Sequence, residues 1–112
     1  MAVFYKITTD AEWKSAVDAG TFLGSALDVK DGFIHLSTAE QAAETARLHF
    51  AGQDNLVLVA VPEQSVAHAL KWEASRGRKL FPHVFAALDP KTVQWVKPLP
   101  WDGTAHMFPE EL

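Results

Sequence analysis

The stretch Gly-Phe-Ile-His-Leu-Ser-Thr-Ala, residues 32–39, is the most informative part of the chain. Residues 33–37 are predicted to form a short strand between a polar turn and a helix. Because successive side chains of a strand point to opposite faces, Phe33, His35 and Ser37 share one face, and the two aliphatic residues between them face the core. The pattern therefore places an imidazole and a hydroxyl side by side.

Thr38 opens the helix that follows, since Thr38 and Gln41 have the spacing of a capping box. A helix N-terminus presents free backbone N–H groups and a partial positive charge, which suit an anion such as phosphate. His35, Ser37 and Thr38 are therefore predicted to belong to a site. The alternative for His35 is a core histidine whose hydrogen bonds are satisfied internally.

The remaining pattern predicts an α+β domain in which short helices come early and the end is rich in strands. Strands are predicted at Val3–Ile7, 56–61, 71–74, 83–86 and 93–96. A first helix, capped by Thr9 and Glu12, buries the stripe of Trp13, Ala16 and Val17. The strand at 56–61 is apolar at every position and is predicted to be central.

Less regular segments connect these elements. Helical turns are predicted from Ser25 and within residues 63–70, a turn at 89–91, a basic loop at 75–79 and an irregular tail from Pro98. We expect one domain over residues 1–112, with its core at about 3–96.

Composition limits the classes of function. The net charge of -4 disfavours duplex DNA and anionic membranes as partners. Cysteine is absent, which excludes disulfides and thiolate chemistry and fits a reducing cytosol, so a cytoplasmic location is expected. The chain starts without a secretory signal pattern. The other histidines lack ligand spacing, so no metal and no certain cofactor are predicted.

A second histidine block, Phe-Pro-His-Val-Phe, occupies residues 81–85. Alternation puts Phe81, His83 and Phe85 on one face, which repeats the pairing of an aromatic ring with an imidazole seen at Phe33 and His35. Two strands with this arrangement are predicted to line one cleft, with Phe81 and Phe85 offering flat faces to a ligand.

Two neighbouring groups complete the predicted site. Glu73 follows Trp72, and a ring that shields a carboxyl from water would favour proton transfer. The alternative is a strand edge with Glu73 in solvent and Trp72 in the core. Arg76 and Arg78 lie on a glycine-containing loop, where they could clamp a phosphate or remain solvated.

Together, the two histidine blocks, the apolar strand and the Trp-Glu pair resemble a small bacterial family of unknown function, over about residues 3–96. The fold of that family is similar to the ADP-ribosyltransferases, which bind NAD in a cleft between two small antiparallel sheets. The resemblance implies a comparable cleft here, with NAD as a candidate substrate.

The resemblance also implies roles for individual residues. His35 and Ser37 would hold a ribose, although Leu36 stands where the superfamily usually has glycine. The superfamily also has an aromatic clamp, frequently a tyrosine, for which Phe81, Phe85 or Trp72 would have to serve. Glu73, earlier in the chain than the superfamily motif, would stabilise an oxocarbenium-like transition state. The related RNA 2′-phosphotransferases rely on arginine and histidine, which Arg47, Arg76 and Arg78 would supply.

Three hypotheses remain open from the sequence. The chain is an enzyme that transforms NAD or an ADP-ribose-like ligand, with His35, Glu73 and His83 as catalytic residues. Alternatively, it is a non-catalytic pocket for a nucleotide or small anion, or a structural interaction domain. The expected partner is a small nucleotide-like molecule, and the sequence does not predict the oligomeric state.

Overall fold

The computed structural model describes residues 2–75, 79–110 and 112, and within these ranges it contains six strands and four α-helices. The strands are β1 (Val3–Thr9), β2 (Ile34–His35), β3 (Leu56–Pro62), β4 (Leu70–Ser75), β5 (Lys79–Val84) and β6 (Trp95–Leu99). The helices are α1 (Asp10–Ala19), α2 (Ala26–Asp31), α3 (Ala39–His49) and α4 (Glu63–Val66), and 3₁₀ turns cover Ala67–Ala69 and Pro90–Thr92. Over the described ranges, no helix combines the length and apolar character needed to cross a membrane.

Strand β3 is the centre of the first sheet, with β1 and β6 antiparallel on either side. Residues 56–61 are all buried, which confirms the predicted central strand. Odd-numbered side chains of β3 pack with Trp13 of α1 and Ile34 of β2. Even-numbered side chains pack with Ala42 and Ala46 of α3, whose small size lets this helix lie close to the sheet.

The second sheet has the order β2-β5-β4, and all of its pairs are antiparallel. Its register places His35 directly opposite His83. The molecule is therefore an α+β fold with two small antiparallel sheets, as predicted. Its likeness to the ADP-ribosyltransferases stays a prediction.

Pro82 explains why β2 is shorter than the predicted strand at 33–37. The Leu36 N–H donates to the Pro82 carbonyl at 3.0 Å, but proline has no N–H to return the bond. The ladder ends there, and the chain moves to the first sheet. Ser37 then exchanges two backbone hydrogen bonds with Tyr5 of β1, of 2.8 and 2.9 Å. Residues 34–37 thus connect the two sheets.

Capping boxes start three helices, with Thr9, Ser25 and Thr38 as the N-cap residues. The predicted helical turns from Ser25 and within 63–70 are confirmed by α2 and α4. In α1 the expected burial of Val17 is wrong, because this side chain is 54% exposed. Val17 is rotated by about 100° from Ala16, which takes it beyond the strip of α1 that meets the sheet.

Three predictions for the second half need correction. Strand β5 spans residues 79–84 instead of 83–86, because it pairs with β4 along its whole length. The strand predicted at 93–96 lies later in the chain, since β6 spans Trp95–Leu99. The chain is regular beyond Pro98, since β6 runs to the fully buried Leu99. An edge strand tolerates proline because one side of it needs no donor.

Candidate functional site

A cleft of about 560 Å³ lies between the two sheets, and we call it the histidine cleft. Strand β1 lines it from the first sheet, and β5 and residues 35–37 line it from the second. The start of α2 and the end of α3 form its walls. Its polar side chains include Lys6, Asp28, His35, Ser37 and His83.

Asp28 is the centre of the charged network in this cleft. One carboxylate oxygen lies 2.6 Å from Nζ of Lys6, and the other lies 2.6 Å from Nδ1 of His35. The second oxygen also accepts the backbone N–H of His35 at 3.1 Å. Asp28 therefore bridges the Lys6 ammonium group and the His35 imidazole. Both Lys6 and Asp28 are buried.

Local sequence places Asp28 at this point. Asp28 is the third residue of α2, and its carboxylate completes the capping box by accepting the Ser25 N–H at 2.9 Å. Gly24 allows this close packing, since a Cβ built on Gly24 would lie 2.5 Å from Cβ of Asp28. Gly24 also has a φ of 109°, a conformation that favours glycine.

The network shifts the pKa values of both buried groups. Burial alone would raise the pKa of Asp28, but the hydrogen bond with His35 and the charge of Lys6 outweigh it and hold the pKa of this carboxyl well below its usual range. Burial lowers the pKa of Lys6, and the attraction of Asp28 offsets only part of this effect. Asp28 is therefore an ionised acceptor throughout the physiological range.

His35 is held at both ring nitrogens. Its Nδ1 contacts Asp28, and its Nε2 lies 3.1 Å from Oδ2 of Asp31. Carboxylates only accept, so both contacts are hydrogen bonds only when the ring carries both protons. Phe33 lies against the ring with a centroid distance of 4.6 Å. His35 is therefore a fixed group whose free hydrogen-bonding capacity depends on Asp31 moving.

His83 is held differently. Its Nδ1 lies 2.9 Å from Oε1 of Glu73, and its side chain is 5% exposed. Nδ1 donates to the carboxylate, which leaves Nε2 as the basic nitrogen of the neutral ring. Among the described residues, Nε2 has no hydrogen-bond partner. Of the two paired imidazoles, His83 is therefore the one with a ring nitrogen that no described residue engages.

The two imidazoles contact each other, with ring centroids 5.2 Å apart and an edge-on arrangement. Phe33 stacks on His83 at 4.3 Å and supports both rings from one side. Two imidazoles, each paired with a carboxylate, thus meet in one cleft; Asp28 lines this cleft, whereas Glu73 contacts His83 from outside the lining. The arrangement resembles the orienting carboxylate of acid–base catalysis, in which a carboxylate fixes the tautomer and direction of the ring.

Ser37 and Phe81 also line the histidine cleft, as predicted. The Ser37 hydroxyl lies 2.9 Å from the Thr45 hydroxyl of α3, so part of its hydrogen bonding is already used. Phe81 is buried and shares its strand face with His83. Its ring presents an apolar wall rather than an exposed stacking platform.

Glu12 lines the cleft as a capping group. Its Oε1 accepts from the Thr8 hydroxyl at 2.7 Å and from the Thr9 N–H at 3.0 Å, and Oε2 accepts the Ala26 N–H at 3.3 Å. Burial would raise the pKa of Glu12, but these hydrogen bonds outweigh it and lower that pKa. Glu12 joins the starts of α1 and α2 and has little capacity left for a ligand.

Three predicted ligand residues lie elsewhere. Trp72 neighbours Glu73 in β4 and therefore points to the opposite face, where its ring packs perpendicular to Phe4 with centroids 5.4 Å apart. It does not shield Glu73, and at 45% exposure it is not a core residue either. Thr38 lines a different cleft with Trp72, and its hydroxyl and N–H are both engaged by Gln41.

Phe85 packs outside the cleft against Phe33, with centroids 5.0 Å apart, and Nζ of Lys71 stands 5.0 Å over its ring. Arg76 and Arg78 lie outside the described residues, so their predicted contact with a ligand stays a prediction. Arg47 is exposed on α3 beside Glu44. It does not line the histidine cleft.

Lys6, Asp28 and Asp31 are charged residues of the cleft that sequence reasoning missed. Lys6 stands in an otherwise apolar strand, where a lone lysine is usually read as solvent-facing. Asp28 carried one signal, its capping-box spacing from Ser25. Within the described part of the chain, no group of three or more histidine, aspartate or glutamate side chains is arranged to hold a metal ion.

Comparisons with known proteins place these features in a family. No curated protein matches the chain. The crystal structure of protein CC0527 from Caulobacter crescentus is similar, with a TM-score of 0.88 and 47% identity over 94% of this chain and 93% of that one. The solution structure of CC0527 has a TM-score of 0.83 and 48% identity over 95% and 91%. Residues 7–96 match the family of proteins of unknown function DUF952, and the chain belongs to that family.

Proposed function

We propose that the histidine cleft binds a ribose-containing, nucleotide-like ligand and that His83 and Glu73 take part in a reaction on it. The observation that carries the proposal is the meeting of two histidine–carboxylate pairs, with ring centroids 5.2 Å apart, in a cleft between two sheets. NAD and ADP-ribose are the candidate ligands, because the cleft between paired small sheets agrees with the resemblance to ADP-ribosyltransferases.

The charges of the cleft favour the ribose as the group held by the histidines. Asp28 and Asp31 both contact His35, and this acidic end repels phosphate but suits hydroxyl donors. The phosphates are expected at the other end of the cleft, near Ser75, which leads into the segment with Arg76 and Arg78. In this proposal His35 orients a ribose hydroxyl, and Nε2 of His83 exchanges a proton with the reacting group.

Glu73 has two possible contributions. It fixes the tautomer of His83 through the 2.9 Å contact, and it is the carboxylate that the resemblance assigns to an oxocarbenium-like transition state. Its side chain is 42% exposed, which leaves its second oxygen accessible. A role in the reaction predicts loss of turnover without loss of binding when Glu73 is changed to Gln.

A non-catalytic binding pocket is the second candidate, and the bonding of His35 favours it. Both nitrogens of His35 are already engaged by carboxylates, so this ring acts by position and charge. A binding protein would lose affinity with His35→Ala and with His83→Ala, and it would show no conversion of NAD.

Titration with NAD, ADP-ribose and AMP tests the proposal, with NMR of the histidine side chains as the readout. We expect the signals of His35 and His83 to shift and those of the exposed His68 to stay unchanged. A ligand at about 100 times its Kd should also stabilise the protein by roughly 2.7 kcal/mol. His68→Ala is the matched control for His35→Ala.

Mass spectrometry of NAD incubated with protein separates the two candidates. Conversion that Glu73→Gln abolishes, with binding retained, supports the enzyme. Binding without conversion supports the pocket. If millimolar concentrations of all three compounds leave His35 and His83 unperturbed, the nucleotide proposal fails and a structural role is favoured.

A further inference from the structure

A second cleft, also of about 560 Å³, lies where β1 and α3 begin, and we call it the tryptophan cleft. Aromatic rings and carboxylates line it together. Tyr5 and Trp95 lie in one row across the first sheet, on either side of Ala60. The small Ala60 side chain lets the two rings approach to 6.0 Å.

Trp72 adds a further ring to this cleft. Its ring stands perpendicular to that of Phe4, and 45% of the residue is exposed. A tryptophan face is the best aromatic partner for a cation. The chain itself uses one such ring, because Nζ of Lys97 stands 4.6 Å over Trp95.

The tryptophan cleft has two acidic side chains. Glu40 and Glu63 line it, and neither forms an ion pair with any described residue. Two carboxylates beside the exposed ring of Trp72 attract a cation both by charge and by the ring quadrupole. Neither feature suits an anionic ligand.

Tyr5 provides an independent observation. The residue is 4% exposed, yet its hydroxyl has no hydrogen-bond partner among the described residues. Burial and the nearby charge of Glu40 raise the pKa of Tyr5, so the hydroxyl stays protonated at neutral pH. Buried tyrosine hydroxyls normally find a partner, and this one lacks it in a cleft with unpaired carboxylates.

We propose that the tryptophan cleft binds a small organic cation, a guanidinium or alkylammonium group, over Trp72, with Glu40 and Glu63 as counter-charges and the Tyr5 hydroxyl as an acceptor. Tyr5 also lines the histidine cleft, whereas Trp72, Glu40 and Glu63 do not, and the proposal does not depend on the function proposed for that cleft.

Titration with n-butylguanidinium tests the proposal, and n-butylurea is the matched neutral control of similar shape. The chain has four tryptophans, so the indole N–H signals give an internal comparison. We expect butylguanidinium to shift Trp72 and Trp95, while the core residue Trp13 and the C-terminal Trp101 stay unchanged. Raising the salt concentration should weaken binding, since the attraction is partly electrostatic.

Two variants sharpen the test. Glu40→Gln removes one exposed charge and should weaken binding about three- to tenfold, whereas Asp54→Asn removes a charge elsewhere and should have no effect. Trp72→Leu should weaken binding by a similar factor. Equal shifts with butylurea, or shifts at His35 and His83 instead of Trp72, would overturn the proposal.

Discussion

The two histidine–carboxylate pairs differ in which partner is buried: the carboxylate in one and the histidine in the other. In the first pair, the Asp28 side chain is 1% exposed and that of His35 is 29% exposed. In the second, His83 is 5% exposed and Glu73 is 42% exposed. A buried carboxylate needs permanent compensation, and Asp28 receives it from Lys6. An exposed carboxylate is compensated by water and can alter its contacts at little cost.

This contrast assigns different properties to the two pairs. The Lys6–Asp28–His35 network is part of the folded core and fixes the shape of the cleft. In the Glu73–His83 pair, Nε2 of His83 has no hydrogen-bond partner among the described residues, and the second carboxylate oxygen of Glu73 is accessible. The chemistry of the cleft is therefore expected at His83, and the stability of the cleft at Asp28.

Replacing Asp28 tests the structural side of this contrast with the largest expected effect. Asp28→Asn leaves the buried Lys6 without a counter-charge, so we expect a loss of about 3–5 kcal/mol in the free energy of unfolding. Urea denaturation measures it. The exposed change Asp54→Asn is the control and should cost less than about 0.5 kcal/mol. Adding Lys6→Met to Asp28→Asn should recover part of the loss, and a further loss would contradict the role given to Lys6.

Replacing Gly24, which lies beside Asp28, is expected to have the next largest effect on the free energy of unfolding. Gly24→Ala places a methyl group on Cβ of Asp28, so we expect a loss of about 3 kcal/mol from the collision and the backbone strain. Gly52→Ala is the matched control, since Gly52 also has a positive φ but open space around it. It should cost only about 1–2 kcal/mol. Equal losses in the two variants would show that Asp28 tolerates displacement.

Sequence reasoning located the histidine pair but not the group that fixes it. Alternation and the repeated aromatic–imidazole pattern were enough to bring His35, Ser37 and His83 to one cleft. The Lys6–Asp28 contact joins residues distant in sequence, and it exists only because β1 and α2 pack together. Trp72 was misplaced because the prediction that its ring shields Glu73 overlooked that period two puts adjacent strand residues on opposite faces.

Acid should act on the first pair through the Asp28 carboxylate. The folded-state pKa of Asp28 lies below the value of about 3.9 in an unfolded chain. Its ionised form therefore stabilises the fold above about pH 4, and this stability is lost as the pH falls toward the folded-state pKa. Between pH 5 and pH 2 we expect the parent protein to lose roughly 2 kcal/mol more than Asp28→Asn. Urea denaturation at each pH measures the difference, and parallel curves would argue against it.

Replacing Glu73, the exposed partner of the second pair, is expected to have the smallest effect on stability. Glu73→Gln keeps a hydrogen-bond acceptor next to His83, and we expect a loss of less than about 1 kcal/mol. Thermal unfolding measures it, with Glu110→Gln as an exposed control. A loss as large as that of Asp28→Asn would remove the distinction between a structural pair and a reactive pair.

The missing N–H of Pro82 has a consequence for the freedom of the cleft. Because the second sheet releases the chain at Leu36, Ser37 is bonded to Tyr5 of the first sheet by two backbone hydrogen bonds. These two hydrogen bonds restrain the two sheets from separating, so the distance between the cleft walls is set when the protein folds. A ligand would then bind to a preorganised cleft, and little conformational entropy of the protein would be lost on binding.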